Sequence, residues 1–147
     1  MKALIICVFA LCMLLPLALL AETYNIEGYW HNAEKTSKIQ IYKTTAGTYA
    51  GKIVWLKEPN NAAGKPKVDD KNPDKELRNR PLLNLVIVKG LTSKGGNKFD
   101  SGTIYDPKSG NTYSSKGELT GPNVLKLRGF IGISLVGRTE TWTRANK

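Results

Sequence analysis

The chain has 147 residues and carries 22 Lys and Arg against 12 Asp and Glu, a formal charge of +10. That length holds one domain with a modest core and excludes two comfortable ones. A basic balance first suggests nucleic acid, but the aromatic residues sit with apolar neighbours rather than among the lysines, so the stacking-plus-charge pattern of a nucleic-acid groove is missing.

The first element in chain order explains where that charge works. Residues 3–21 contain no charged side chain and follow Met1-Lys2. A short positive start, an apolar core and a small residue before a polar sequence are the layout of a secretory signal peptide. Pro16, Ala21 and the early Glu22 suit cleavage after Ala21. The alternative is an uncleaved anchor, since the run approaches the ~20 residues that span a bilayer; the protein would then touch a membrane only through this segment. A lipid-anchored form is disfavoured, because Cys7 follows Ile6 and Cys12 follows Leu11 instead of a small residue. Cleavage leaves residues 22–147 as one domain of 126 residues and net charge +9, with no cysteine and hence neither disulfide nor thiol chemistry. The expected location is periplasmic or extracellular.

Beyond residue 21 the pattern is alternation. Ile39 and Ile41 alternate with Lys38, Gln40 and Lys43, predicting a half-buried strand. Residues 48–56 form a second strand after a polar, glycine-bearing connection. Residues 82–88 read as a strand buried on both faces, and further strands are expected at 102–105, 112–119, 124–128 and 136–144. Asp106-Pro-Lys-Ser-Gly110-Asn111 and Gly121-Pro-Asn123 are turns, and Lys94-Gly-Gly-Asn-Lys98 is a hairpin connection rather than a phosphate loop. The long segment 60–81 is different in kind, being rich in Asn, Asp, Lys and Pro. Asn72 as N-cap, Pro73 at the first helical position, and Asp74 and Glu76 near the positive end predict a helical turn or two through Arg78. The predicted fold is all-β: a small antiparallel up-and-down barrel of about eight strands, whose closure removes exposed edges.

The chemistry-bearing inventory is short. His31 is the one histidine, so a zinc site lacks ligands and a serine triad would have a single candidate base with no nucleophile-elbow pattern beside it. Asp70-Lys-Asn72-Pro-Asp74 imitates the start of a calcium loop, then fails at Lys75 and Pro81, where glycine and glutamate are needed. Helix capping accounts for Asn72 and Asp74 without an ion, and no cofactor is expected. Arginine is scarce, five residues against sixteen lysines beyond residue 21. Its planar fork suits carboxylate pairing and aromatic stacking, so Arg78, Arg80, Arg128, Arg138 and Arg144 hold defined geometry, either as ligand clamps or as ion pairs to Asp69, Asp74 or Asp106 that pin the long segment to the barrel.

Gly28-Tyr-Trp30 near the start and Trp142-Thr-Arg144 at the end resemble the closure signature of calycin barrels, which include lipocalins. In those folds the first-strand indole crosses one barrel end and a basic residue of the last strand stacks on it. A longer series runs in order: Gly28-Tyr-Trp30, Gly51-Lys-Ile-Val-Trp55-Leu, Asp69-Asp-Lys-Asn72-Pro-Asp74 with Arg78-Asn-Arg80, and Gly102-Thr-Ile-Tyr105-Asp106-Pro. It continues with Gly110-Asn-Thr-Tyr113, Leu127-Arg128-Gly129 and Gly137-Arg138-Thr-Glu-Thr-Trp142-Thr-Arg144. This series closely resembles the bacterial exported family known as domain of unknown function 2147, over residues 28–144. The resemblance implies a secreted or periplasmic calycin-type barrel and no established activity. Three departures stand out: the cysteine pair of many relatives is absent, and Phe99 and Asn84 stand where tryptophan and glycine are usual.

The expected function is non-enzymatic: binding of a small apolar or amphipathic molecule in the barrel, with 60–81 covering part of the mouth. Trp30, Trp55, Asp69, Asn72, Asp74, Arg78, Arg80, Tyr105, Asp106, Tyr113, Arg128, Arg138, Trp142 and Arg144 are the candidate residues for ligand contact or barrel closure. The alternative is an interaction module that docks its basic surface on anionic envelope polymer or lipid headgroups. An enzyme would need a cleft joining Asp69 or Asp106 to Tyr105 and an arginine.

Overall fold

A computed structural model describes residues 21–147 except Ser134. The expected signal segment lies outside the described residues apart from Ala21.

Eight strands close into an antiparallel barrel in which each pairs with its sequence neighbours and β8 returns to β1. They are β1 (Gly28–His31), β2 (Ser37–Lys43), β3 (Tyr49–Leu56), β4 (Val86–Gly95), β5 (Lys98–Asp106), β6 (Asn111–Gly121), β7 (Val124–Phe130) and β8 (Gly137–Ala145). The expected barrel and its strand number are therefore as the alternation implied. The polar face points out: Lys38, Lys52, Lys116, Glu118 and Lys126 leave the apolar alternates Ile39, Ile41, Ile53, Leu125 and Leu127 buried inside.

The turns fall into two groups at opposite ends. Short ones join β2 to β3, β4 to β5 and β6 to β7. In the β4–β5 hairpin Gly96 and Asn97 have φ of 58° and 63°, the left-handed pair of a two-residue type I′ turn. At the other end lie the β1–β2 connection, the long 57–85 connection, the β5–β6 turn and residues 131–136 between β7 and β8.

Three expectations shift. Residues 82–85 are not strand; they form a turn in which Asn84 has φ 68° and its N–H donates to the Ile53 carbonyl at 2.7 Å, so β4 begins at Val86. Asparagine tolerates the left-handed conformation better than most residues, which explains how it replaces the usual glycine. The helical turn is a 3-10 turn of three residues, Lys75–Leu77, and its N-cap is Asp74, which accepts from the Glu76 N–H at 3.0 Å. Asn72 sits two residues earlier, its side chain accepting from the Asp74 N–H at 2.9 Å.

The end with the short turns is packed solid. Trp30, Val88, Leu91, Leu125, Phe99 and Leu119 fill it, and a Cβ at Gly102 would run into the Leu91 side chain. Phe99 meets Tyr49 edge to face at 5.6 Å between ring centroids, occupying the place of the usual tryptophan with a smaller ring.

Candidate functional site: a closed barrel base and an open apolar cavity

Trp30 seals the base. It is fully buried, its Nε1–H donates to the Ile26 carbonyl at 2.9 Å, and the Arg144 guanidinium lies 4.0 Å from its ring centroid. Arg144 also donates to the carbonyls of Asn25 at 2.6 Å, Glu27 at 2.7 Å and Pro122 at 2.7 Å. One planar fork thus joins the N-terminal strap, the β6–β7 turn and the indole, something a lysine ammonium cannot do. Gly28 makes room for it: φ is 125°, and a Cβ there would sit 2.9 Å from Arg144 Nη1.

Opposite the base the barrel is hollow. A cavity of about 850 Å³ opens at the other end, within the range of small-molecule sites. Its walls are Ile39, Ile53, Ile87, Ile104, Leu127 and Trp142, with Gly129 beside Tyr113 and Ile104. The rim carries both signs: Lys67 lies 3.7 Å from Glu58, Lys108 2.7 Å from Glu34, and Arg138 3.7 Å from Glu140. Hydrogen bonding and charge from Lys108 hold the Glu34 carboxyl below its ordinary value. These pairings leave a rim without a dominant sign, suited to a polar end group more than to a strongly charged one.

The candidate residues divide in four. Tyr105, Asp106, Tyr113, Arg138 and Trp142 line the cavity. Trp30 and Arg144 form the base. The third group belongs to neither. Asp69 is fully buried and receives Tyr105 Oη–H at 2.6 Å, Asn72 Nδ2 at 2.8 Å and both Nε and Nη2 of Arg80 at 2.9 and 2.8 Å. Arg78 Nε donates to the Asn72 carbonyl at 2.8 Å, and Asp74 caps the short turn. So Asp69, Asn72, Asp74, Arg78 and Arg80 knit the long segment together, with Arg80–Asp69 an ion pair inside the segment, and the Tyr105 hydroxyl fastens it to β5. Of residues 60–81 only Lys67 reaches the cavity lining.

Burial tends to raise the Asp69 carboxyl, and the hydrogen bonds from Tyr105, Asn72 and Arg80 outweigh it, leaving its pKa below the ordinary value. Burial and the same carboxylate push the Tyr105 phenol up to about 12. Tyr105 is therefore a fixed proton donor to a fixed carboxylate. Asp106 accepts from Lys108 N–H and Ser109 Oγ–H within its own turn.

Two more candidates face outward. Trp55 is 39% exposed, with Lys38 Nζ 5.7 Å from its ring centroid and His31 edge-on at 6.0 Å. Arg128 lies on the outer face of β7 and donates to Thr139 Oγ1 at 3.0 Å and to the Leu135 carbonyl at 3.3 Å. The wall residues Ile39, Ile53, Ile87, Ile104 and Leu127 are absent from the candidate list. Their inward alternation was the available signal, but it marks a filled core and a hollow one alike.

Comparison with known proteins places this architecture. The solved structure of protein HP1028 from the human pathogen Helicobacter pylori, described as belonging to the lipocalin family, matches with a TM-score of 0.74 at 22% identity. The match covers 84% of this chain and 85% of that one, and it shows a shared fold. No curated protein matches the chain significantly. The model of a bacterial family described as uncharacterized conserved proteins, domain of unknown function 2147, matches residues 28–144, the span of the barrel from Gly28 to Arg144, and the chain belongs to that family.

Proposed function

We propose that the protein is an exported carrier or sensor domain that binds one small apolar or amphipathic molecule in its barrel, without catalysing a reaction on it. The observation that carries this reading is the cavity of about 850 Å³, walled by isoleucine, leucine and tryptophan and open at one end only. Burying an apolar ligand against such walls yields about 25 cal/mol per Å² of apolar surface removed from water. The paired rim charges favour a ligand whose head group is neutral or zwitterionic. Export is supported by the apolar run before Glu22.

Native mass spectrometry of protein taken from its own cell envelope tests the reading: a small molecule should travel with the barrel. Gly129→Leu supplies the control. A Cβ at Gly129 has ordinary contact distances, 3.4 Å to Ile104 and 3.5 Å to Tyr113, so the fold tolerates the start of a side chain there while the remainder projects into the hollow. The variant should fold and lose the adduct. Adducts equally abundant in both proteins, or absent from the parent, would sink the proposal.

A further inference from the structure

Among the described residues, the connection between β7 and β8 is where large apolar side chains gather in solvent. Ile131, Ile133, Leu135 and Val136 are between 59% and 85% exposed, and Ile131 and Val136 stand on the rim of the cavity. A connection that needed only solubility would be polar, and contiguous exposed apolar side chains mark an interaction site. The loop is also held out from the barrel. Ile131 N–H donates to the Val136 carbonyl at 3.0 Å, Arg128 Nη2 donates to the Leu135 carbonyl at 3.3 Å, and Gly132 takes a φ of 69° that side chains disfavour. These bonds keep the four side chains from collapsing into the apolar hollow below them.

The rim as a whole carries balanced charge, and it is the charge local to the β7–β8 arm that identifies the occupant. Arg128 and Arg138 lie on the two strands that carry the loop, and Lys116 pairs with Arg128 in register on β6. Arg138 has 78% of its side chain exposed. Residues 131–136 contain no acidic side chain, and Glu140, the nearest carboxylate on β8, is engaged by Arg138 and by Trp142 Nε1–H at 3.3 Å. Apolar side chains at a tip with cations set behind them are the arrangement that enters the headgroup region of an anionic bilayer, where apolar burial and headgroup attraction add.

We propose that the β7–β8 loop inserts Ile131, Ile133, Leu135 and Val136 into an anionic phospholipid surface and so sets the mouth of the barrel against the bilayer. Docking in this pose brings the open end of the cavity to the lipid, the source from which an apolar or amphipathic molecule would enter. The inference does not depend on the ligand reading. A second copy of the chain is the competing occupant, and the local excess of Arg128, Arg138 and Lys116 over Glu140 argues against it, since two such arms would repel.

The test places a reporter on the loop itself, which keeps the apolar N-terminal run from confusing the result. Full-length Leu135→Trp protein is mixed with vesicles of phosphatidylglycerol bearing brominated acyl chains, or with brominated phosphatidylcholine. The extra emission should shift to the blue and be quenched on phosphatidylglycerol. Adding Ile133→Asp or Arg138→Gln, or raising salt, should weaken vesicle-dependent quenching about tenfold, as loss of an apolar anchor or a headgroup contact would. Adding Gly129→Leu should leave it unchanged, even where it empties the cavity. Three results would overturn the proposal: protein that sediments with vesicles while the introduced indole stays unquenched, equal quenching on phosphatidylcholine, or a concentration-dependent blue shift without vesicles, which would assign the loop to a second copy.

Discussion

Trp30 is held by burial, by a hydrogen bond and by a stacked cation together. Removing so large a buried ring costs about 3–5 kcal/mol, so Trp30→Ala should lower chemical-denaturation stability by that amount. A variant that loses less than about 1 kcal/mol would show that the base closes without the indole. Arg144 tests the other half of the same contact. Arg144→Lys keeps the charge and loses the planar fork that reaches three carbonyls, and should cost about 1–2 kcal/mol. Gly28→Ala should act through the same pair, because its methyl would enter the space of the guanidinium while the backbone holds a φ of 125°.

The long 57–85 connection owes its order to a few contacts with β5 and the turn beyond it. Asp69 is the centre of these, and Gly110 permits them: its φ is 76°, and a Cβ there would collide with the Lys71 carbonyl. Gly110→Ala should therefore loosen the segment, seen as faster amide exchange in residues 66–82 with the strand amides little changed. Because the Asp69 carboxyl titrates below its unfolded value of about 3.8, its stabilisation is complete above that value and disappears as pH falls through the lower folded value. Urea stability should thus be flat near neutrality and decline in acid, and Asp69→Asn should remove part of that decline. Breaking a buried pair typically costs about 3–5 kcal/mol, but Arg80 is 37% exposed in its side chain and can be rehydrated, so about 2–3 kcal/mol is expected for Asp69→Ala at neutral pH. An unchanged acid limb in Asp69→Asn would mean that other carboxylates govern it.

As a whole the molecule is a barrel with one solid end and one hollow end, and its two ends have different work. Outward strand positions such as Lys38, Lys52, Lys116, Glu118 and Lys126 are polar, so the strands are dressed for water more than for lipid; Trp55 on β3 is exposed too, but the most exposed apolar side chains among the described residues are those of the loop at the mouth. A molecule bound in the cavity should raise stability by mass action, about 2.7 kcal/mol at a hundredfold excess over its dissociation constant. Thermal melting with a series of amphiphiles of equal chain length and different head groups should therefore rank neutral and zwitterionic heads above anionic ones. The reverse ranking would mean that the rim pairs open to receive an anion.

Sequence by itself determined the strand pattern and the up-and-down order, because alternation and turn chemistry are local signals with a direct physical meaning; the pairing of Trp30 with Arg144 came from the resemblance to calycin barrels. It also marked Asp69, Asn72, Tyr105 and Arg80 as special without assigning their work. Whether Arg80 grips a ligand or a neighbouring aspartate depends on where residues distant in sequence meet, and Asp69 and Tyr105 lie on different elements. Element ends shifted for a similar reason: Leu82 and Leu85 look like strand by composition, but Asn84 turns the chain between them. Only the tertiary structure decided that the barrel is hollow, since inward-facing isoleucines read alike whether they touch across the axis or stand apart. It likewise decided that Ile131, Ile133, Leu135 and Val136 are exposed, because the pairing of β7 with β8 ends at Phe130 and Gly137 and leaves the connection at the rim.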